Sequence, residues 1–275
     1  MKKLLICPKC KGKLCKNNNS LVCENNHTYD IAKQGYVNLN IGRHSSSGDD
    51  KEMCRSRHNF HSADYYSCLA DKLSEICLKN NIKAVIDAGC GEGYYLRKIV
   101  DSYECSGRCL ISAVGIDLAK EAVATAAKCE KQRVEDKRIE YAVTGIFDMP
   151  LEDGCADCVL SVFAPVPDAE AYRVLKDNGI MIVVSPGEKH LEGLKKAIYC
   201  DVYDNEITKK EYAGFKLYET HSANDTINVT GENIINLFHM TPYYWKTSEK
   251  DAEKLSKITT LSTKIEFIIR IYKKI

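Results

Sequence analysis

The stretch Val85-Ile86-Asp87-Ala88-Gly89-Cys90-Gly91-Glu92-Gly93-Tyr94-Tyr95 decides the fold of this chain. The apolar run from Ala84 to Ile86 predicts a buried parallel strand, and the apolar spacing over residues 93 to 101 predicts a helix. Three glycines at alternate positions lie between them, where the lack of a Cβ lets the backbone approach a ligand closely. Strand, glycine loop and helix in this order are typical of the first unit of a nucleotide-binding α/β fold.

The spacing of the glycines indicates the kind of ligand. A dinucleotide-binding fold uses G-x-G-x-x-G, which receives a pyrophosphate on the helix N-terminus. Here the pattern is G-x-G-x-G, with Asp87 two residues before Gly89. A carboxylate at that position would repel phosphate, but it suits a cationic ligand such as S-adenosylmethionine (SAM). The spacing resembles motif I of class I SAM-dependent methyltransferases.

The next strands supply further candidate cofactor residues. Residues Ser112 to Gly115 predict a second strand, and Asp117 closes it. A carboxylate at this place can accept hydrogen bonds from both ribose hydroxyls. Asp117 is also a candidate N-cap for the helix predicted from Lys120, and both roles can hold. A third strand is predicted over residues 139 to 143, and Asp148 follows it where this fold class binds the adenine amino group.

The rest of the body alternates strands with helical stretches. Further strands are predicted over residues 155–163, 179–185, 215–221 and 264–272. A helix is predicted over residues 231 to 240. The aromatic run at 243 to 245 could stack on a ligand or belong to the core, and the core is the favoured prediction. The alternation is typical of a parallel sheet covered by helices on both faces.

Length and composition bound the class of protein. The 275 residues allow one full α/β domain and a small appendage. A hydrophobic content of 44% and a charged content of 28% are ordinary for a soluble globular protein. No segment approaches the roughly 20 apolar residues that span a bilayer, and the first apolar run is too short for a signal peptide. The sequence therefore predicts a cytoplasmic protein whose fourteen cysteines are free thiols and metal ligands.

The amino-terminal segment contains a metal-binding pattern. Cys7 and Cys10 form a Cys-x-x-Cys pair, and the pair Cys23 and His27 follows after twelve intervening residues. Two such pairs, separated by a spacer of hairpin length, can close a tetrahedron around zinc. Four protein ligands leave no open coordination position, so the predicted zinc is structural. Cys15 lies within the spacer and off the pattern.

Charge is distributed unevenly along the chain. Residues 1 to 62 contain 11 Lys and Arg against 5 Asp and Glu, whereas the remainder is acidic. The second half of this segment carries a basic and aromatic set, namely Arg43, Lys51, Arg55, Arg57, His58, Phe60 and His61. Such a set can bind phosphates and stack on unpaired bases, which predicts contact with a polyanion. The alternative is a helix surface whose cations are solvated.

Several motifs occur together in a fixed order. They are the Cys/His pattern and the runs 29–39, 87–95, 163–165, 186–191 and 240–245. In this combination, from about residue 5 to the C-terminus, the chain resembles the RlmA family of 23S rRNA guanine-N1 methyltransferases. The resemblance implies an α/β fold of the class I SAM-dependent methyltransferases, Rossmann-like, with a mostly parallel seven-stranded sheet and a small N-terminal zinc ribbon. It divides the chain into an RNA-facing ribbon (1–40), a basic linker or loop (41–62) and a methyltransferase domain (63–275).

The resemblance also implies site residues. Gly91 and Glu92 match cofactor contacts in the glycine loop. Tyr66 and His190 match two further cofactor contacts, although Tyr65 is an equal candidate by composition. The expected cofactor-binding residues are therefore Tyr66, Asp87, Gly89, Gly91, Glu92, Gly93, Asp117, Asp148 and His190. The expected zinc ligands are Cys7, Cys10, Cys23 and His27.

The implied reaction is transfer of the SAM methyl group to N1 of a guanine in a hairpin of 23S rRNA. Ala164-Pro165 departs from the Asp/Asn-Pro-Pro-Tyr motif of amino-group methyltransferases, which is compatible with a ring nitrogen as acceptor. The candidate general bases are Asp148, Glu188, His190 and Glu192, and the sequence does not choose among them. The alternatives are a methyltransferase for another RNA or a small molecule, or a catalytically silent RNA-binding protein. A homodimer whose two ribbons flank one RNA cleft is a further hypothesis.

Overall fold

A computed structural model describes residues 3–41, 49–110, 112–133, 138–207 and 210–275. Arg43, one of the basic residues expected to meet RNA, lies outside these residues. The strands in chain order are β1 (Cys15–Asn17), β2 (Ser20–Val22), β3 (Thr28–Asp30), β4 (Val37–Asn38), β5 (Ala84–Ala88), β6 (Ser112–Asp117), β7 (Glu140–Val143), β8 (Ala156–Val162), β9 (Leu175–Pro186), β10 (Phe215–Thr230) and β11 (Thr260–Lys274). The helices are α1 (Lys51–Ser62), α2 (Ser67–Lys79), α3 (Tyr94–Cys105), α4 (Lys120–Arg133), α5 (Asp168–Val174), α6 (Glu192–Ile198), α7 (Glu232–His239) and α8 (Glu249–Ala252).

The main sheet follows the order β10-β11-β9-β8-β5-β6-β7-β4 among the described residues. Strands β4 to β9 pair in parallel, whereas β11 pairs antiparallel with both β9 and β10. The predicted α/β fold with a mostly parallel sheet is confirmed. Because β5 lies between β6 and β8, the strand order reverses at β5, and such a switch point opens a ligand crevice at the carboxyl ends of the strands.

The main sheet has eight strands in the described part of the chain, one more than the seven expected. The additional strand is β4, which lies in the segment 1–40 that we expected to form the ribbon. It pairs in parallel with β7 instead, with Val37 opposite Ala142. Val37 and Leu39 are buried in the apolar cluster of the main sheet, and this burial draws the segment to the sheet edge.

Residues 51–62, expected to be part of a basic linker or loop, form helix α1. The helix begins after Asp50, whose side chain accepts a hydrogen bond of 2.8 Å from the Met53 N–H, as an N-cap residue does. One face is buried and packs near α7 and α4. Phe60 and His61 lie on that face, so neither is open to stack on a base.

The ribbon and the main sheet share one apolar core. Strands β1, β2 and β3 form the small antiparallel ribbon. Leu4, Leu5 and Leu14 from the ribbon segment belong to the same buried cluster as Met149 and Leu151 from the body. The backbone N–H of residue 6 also donates to the carbonyl of residue 150 over 2.9 Å. The ribbon is therefore docked on the α/β body by apolar burial.

The two C-terminal strands are longer than expected. The strands predicted over 215–221 and 264–272 are β10 and β11, which pair from Phe215 opposite Lys274 to Thr230 opposite Thr260. Exposed residues predominate along β10, which is consistent with its place at the sheet edge.

Within the described residues, no helix has both the length and the apolar character to cross a bilayer.

Candidate functional site

The four predicted zinc ligands come together in the ribbon. The ligand atoms of Cys7, Cys10, Cys23 and His27 all lie within 4.8 Å of one another. The Cys7 and Cys23 sulfurs are each 3.4 Å from His27 Nδ1, and the Cys10 and Cys23 sulfurs are 3.5 Å apart. These separations fit the edges of a tetrahedron with metal–ligand bonds of about 2.0–2.3 Å. Because four ligands fill such a site, we propose that they hold a structural zinc ion.

The turns of the ribbon bring these ligands together. The Lys11 N–H donates to the Cys7 carbonyl over 2.8 Å, and the Asn26 N–H donates to the Cys23 carbonyl over 2.9 Å. Each pair of ligands therefore lies on a tight turn, and the β1–β2 hairpin joins the two turns. The Tyr29 hydroxyl lies 3.2 Å from the Cys7 sulfur and supports the cluster from outside it.

A cavity of about 1030 Å³ opens at the carboxyl ends of β5, β6, β8 and β9. This is the crevice expected at the strand-order switch point. Seven of the nine predicted cofactor residues line it, namely Tyr66, Asp87, Gly89, Gly91, Glu92, Asp117 and His190. Its volume matches or exceeds the roughly 300–1,000 Å³ of typical small-molecule sites, so it has room for a cofactor and one further group.

Asp117 fixes the glycine loop to the end of β6. Its Oδ2 accepts a hydrogen bond of 2.9 Å from the Gly91 N–H, and its Oδ1 accepts one of 2.8 Å from the Ala119 N–H. The second bond goes to the residue that precedes α4, outside the helix, so the capping role of Asp117 also stays a prediction. Because each carboxylate oxygen can accept more than one hydrogen bond, these contacts leave room for a ribose, and the ribose role of Asp117 stays a prediction.

Asp87 brings an unpaired carboxylate oxygen to the cavity. Its side chain is buried, and its Oδ1 has no hydrogen-bond partner among the described residues. Burial, with the nearby Asp117 and Glu92 carboxylates, raises the pKa of Asp87 to about 8. Burial and the neighbouring carboxylates both disfavour the ionised form of Asp87. An ammonium or sulfonium group in the cavity would offset both effects, so this residue fits a cationic cofactor.

Glu92 is the charged partner of a buried histidine. Its Oε1 lies 2.5 Å from His61 Nδ1, and both side chains are almost fully buried. Burial would raise the pKa of Glu92, but the charges of His61 and Arg57 outweigh it and bring the pKa to about 2. Glu92 therefore stays ionised, and His61 Nε2 is left without a hydrogen bond from any described residue. The sequence predicted that His61 contacts RNA. In the structure His61 is buried and holds Glu92 of the glycine loop instead.

Tyr66 and His190 meet across the cavity wall. Tyr66 Oη lies 3.4 Å from His190 Nε2, and the Glu266 N–H donates to His190 Nδ1 over 3.1 Å. Burial lowers the pKa of His190 to about 4, so its ring is neutral at pH 7 and carries its proton on Nε2. That proton points to the tyrosine oxygen. Tyr65 stacks on Phe60 and does not line the cavity, which favours Tyr66 of the two candidates.

Two predicted cofactor residues lie apart from the cavity lining. Asp148 is 74% exposed in its side chain and pairs with Lys11 of the ribbon over 3.2 Å. Its neighbours Ile146 and Phe147 line the cavity in its place. Gly93 has a φ of +74° and packs against the buried ring of Tyr141, on the side of the loop away from the cavity lining. Their cofactor roles stay predictions.

Three further cavity residues were missed from the sequence or placed wrongly. Trp245, expected in the core, is 65% exposed and lies at the cavity, so that expectation was wrong. Phe163 is 47% exposed and has a φ of +53°, a strained backbone of the kind that gathers at functional sites. Arg270 is a charged residue inside an apolar strand, and this pattern break was the available signal.

Comparison with known proteins agrees with this architecture. A family model described as "RlmA, N-terminal" zinc ribbon matches residues 5–40, and one described as "Methyltransferase domain" matches residues 79–238. A 23S rRNA (guanine(748)-N(1))-methyltransferase of Streptomyces fradiae is 32% identical over 70% of this chain and 67% of its own length. The chain belongs to the RlmA family. A relative from Bacillus subtilis, provisionally named a 23S rRNA (guanine-N(1)-)-methyltransferase, is 29% identical over 91% of this chain and 90% of its own length.

Membership of the RlmA family gives the cavity its cofactor. The methyltransferase domain takes SAM as methyl donor, and the N-terminal segment is a zinc ribbon. When bound, SAM supplies an electrophilic methyl group on a sulfonium. The unpaired oxygen of Asp87 and the carboxylate of Asp117 suit the charged end and the ribose end of such a molecule. We propose that these residues orient it across the glycine loop.

The raised pKa of Asp87 predicts a pH dependence of SAM binding. Below pH 8 the Asp87 carboxyl holds a proton, which a cationic ligand displaces, so SAM affinity should rise with pH. At full coupling, the rise approaches about tenfold per unit between roughly pH 5.5 and 7.5, below the pKa of an α-amino group. By the same linkage, the free energy of unfolding contributed by this group falls as pH rises from its usual pKa of 3.8 towards 8.

Isothermal titration of SAM into the protein at several pH values measures this dependence. Asp87→Asn should weaken binding and flatten the pH profile. Asp71→Asn, a change on the exposed side of α2, should leave both unchanged. A profile that stays equally steep in Asp87→Asn would remove Asp87 as its origin.

Proposed function

We propose that this protein transfers the methyl group of SAM to N1 of a guanine in a hairpin of 23S rRNA. One observation carries the proposal: a docked zinc ribbon and a methyltransferase cavity with exposed aromatic side chains occur in one chain. Two of the relatives bear names that specify 23S rRNA and guanine N1. The aromatic side chains at the cavity, Phe163 and Trp245, suit the stacking of an extruded base.

The chain's own residues mainly align the reactants and exclude water. The target guanine would leave its stack and enter the cavity, whose residues would hold its N1 towards the methyl group that SAM would supply. Guanine N1 carries a proton and becomes a good nucleophile only when that proton leaves. The N1 lone pair then forms the new N–C bond as the C–S bond breaks, and the sulfur takes that electron pair.

The structure narrows the choice of base. His190 carries its proton on Nε2 and its Nδ1 accepts a backbone N–H, so neither ring nitrogen is open to take a proton from guanine. Asp148 and Glu188 do not line the cavity, and Glu192 pairs with Lys196 over 2.6 Å. Glu206, which the sequence did not single out, lines the cavity and makes no ion pair with a described residue. We assign it the role of proton acceptor.

Glu206→Gln tests this assignment because it keeps the size of the side chain and removes its basicity. We expect the single-turnover rate of methyl transfer to fall roughly 10²-fold, the usual scale for a general base, with SAM affinity unchanged. Glu211→Gln, an exposed residue of the same segment that does not line the cavity, is the matched control. A wild-type rate and pH profile in Glu206→Gln would mean that water takes the proton.

The reaction itself is tested with radiolabelled SAM and unmodified 23S rRNA. An N1-methylguanine blocks Watson–Crick pairing, so primer extension should stop beside one hairpin guanine. Label in a small molecule or in another RNA would replace the proposed substrate. SAM binding without label in any acceptor would favour a catalytically silent RNA-binding protein. The predicted homodimer is checked separately by solution scattering of the protein with and without the hairpin.

A further inference from the structure

We propose that Arg270 donates hydrogen bonds to O6 of the target guanine and stabilises the negative charge that forms when N1 loses its proton. This inference rests on the proposed function and adds a catalytic residue to it. Arg270 lies on β11, which is far from the glycine loop in sequence and is not part of any motif considered above.

The first observation is a buried cation that has no carboxylate partner among the described residues. Arg270 is only 6% exposed, and no carboxylate of a described residue lies within 4 Å of its guanidinium. Arg270 Nη1 donates a hydrogen bond of 3.1 Å to Ser185 Oγ, which is a neutral acceptor. Removing a charge from water costs several kcal/mol unless it is paired, so such a guanidinium calls for an acceptor. The cavity is where that acceptor can enter, because Arg270 lines it.

The second observation is the place of this cation in the cavity. Between β5 and β11 lie β8 and β9, so Arg270 is three strand spacings, about 14 Å, from the strand that carries the glycine loop. Asp87 and Asp117 belong to the near side, which suits the cofactor. Ser185 and Arg270 belong to the far side, beyond Phe163 at the end of β8. The far side is therefore where the methyl acceptor would lie.

The third observation distinguishes a base from a phosphate as the ligand. Arg270 is buried, whereas Lys210 of the same cavity is exposed. Tyr272, on the same strand, donates from its hydroxyl to the Lys210 carbonyl over 3.0 Å, which places the lysine beside this part of the wall. When a nucleotide is extruded, its base penetrates and its phosphates stay near the surface. The exposed lysine suits a phosphate, and the buried arginine suits the base edge.

The chemistry of guanine matches this arrangement. O6 and N7 form an acceptor pair that a guanidinium reads with two donors. When Glu206 takes the N1 proton, the negative charge spreads from N1 onto O6, beside the fixed positive charge of Arg270. N1 then takes the methyl carbon, the carbon–sulfur electron pair stays on sulfur, and the charge on O6 disappears. Arg270 thus binds most strongly to the ionised ring, which is what accelerates the step.

Arg270→Gln is the principal test, with single-turnover methyl transfer to the 23S rRNA hairpin measured against pH. We expect the rate near neutral pH to fall about 10²–10³-fold, as for the loss of a donor to developing charge. We also expect the deficit to shrink at alkaline pH, because hydroxide ionises N1 without help. SAM affinity should stay unchanged. Lys264→Gln, an exposed cation of the same strand outside the cavity lining, is the matched control and should behave as wild type.

Two other outcomes would overturn the proposal. If Arg270→Gln weakens RNA binding, lowers the salt slope by about one and leaves the pH profile unchanged, then Arg270 holds a phosphate. If rate and profile are both unchanged, Arg270 has no role in transfer. If Arg270→Gln fails to fold, Ser185→Ala is the test. This variant keeps the guanidinium of Arg270 but removes the hydrogen bond that holds it in place. The proposal then requires a slower rate near neutral pH that recovers at alkaline pH. A wild-type protein that labels no RNA would refute the proposed function itself, whatever the variants do.

Discussion

Cys23→Ser is expected to release the zinc ion and to abolish methyl transfer to RNA. Cys23 is buried at the join between the ribbon and the body, within the apolar cluster that contains Met149 and Leu151. A structural zinc site contributes about 10–16 kcal/mol of binding free energy in isolated zinc-finger peptides, and this energy is folding energy for the ribbon. With three ligands left, the two ribbon turns lose the ion that joins them.

The consequences extend beyond the ribbon because of the shared core. Leu4, Leu5 and Leu14 would lose their fixed positions against the body, and β4 would lose its support at the edge of the main sheet. Each kcal/mol of stability lost in this way would lower the midpoint of thermal unfolding by about 2–4 °C in a chain of this size. We therefore expect lower stability, a zinc content near zero by atomic absorption, and no product on the RNA hairpin.

Cys15→Ser is the matched control for this change. Cys15 is an exposed thiol of β1, in the same ribbon, and it stands apart from the four-residue cluster. It should keep its zinc, its stability and its activity. Full zinc content in Cys23→Ser would mean that this residue is not a ligand. Loss of zinc with unchanged transfer to RNA would show that the ribbon is dispensable for substrate binding.

The sequence predicted the elements whose signal is local. The glycine loop lies between strand and helix as expected, because three alternate glycines after an apolar run leave few other structures open. The two cysteine turns were equally clear, since ligand spacing is a local property. Both predictions rested on residues within twenty positions of each other, and the structure brings those residues together.

Elements whose position depends on distant partners were not predictable in the same way. Strand β4 has two residues, too few for an apolar period, and its partner β7 lies about a hundred residues away. Helix α1 follows a polar stretch and lies in the segment predicted to be a linker or loop, although its capping residue Asp50 was a usable signal. The burial of His61 and the exposure of Trp245 likewise follow from packing between segments, which no single stretch encodes.

Gly93→Ala is expected to reduce SAM affinity by about 10²–10³-fold. Gly93 has a φ of +74°, which costs an alanine about 1–2 kcal/mol. A Cβ built on Gly93 would lie 2.4 Å from the Tyr141 hydroxyl oxygen, inside van der Waals contact. The ring of Tyr141 is buried and also packs against Gly115, so it has little room to yield. Overpacking of this kind typically costs a further 1–3 kcal/mol, which makes about 2–5 kcal/mol in all, and the expected loss of affinity corresponds to the middle of this range.

This cost should appear mainly in binding. Without SAM, the loop of the alanine variant can relax away from Tyr141, whereas binding requires the loop to return to the position that Asp117 fixes at Gly91. Two glycine controls separate the contributions: Gly107 has a φ of +71° with no atom within 4 Å of the added Cβ, and Gly145 has neither a positive φ nor a neighbour. Titration of SAM should show Gly107→Ala and Gly145→Ala near wild type. If Gly93→Ala binds SAM as well as Gly107→Ala does, then the fixed shape of the loop is not what gives the cofactor its affinity.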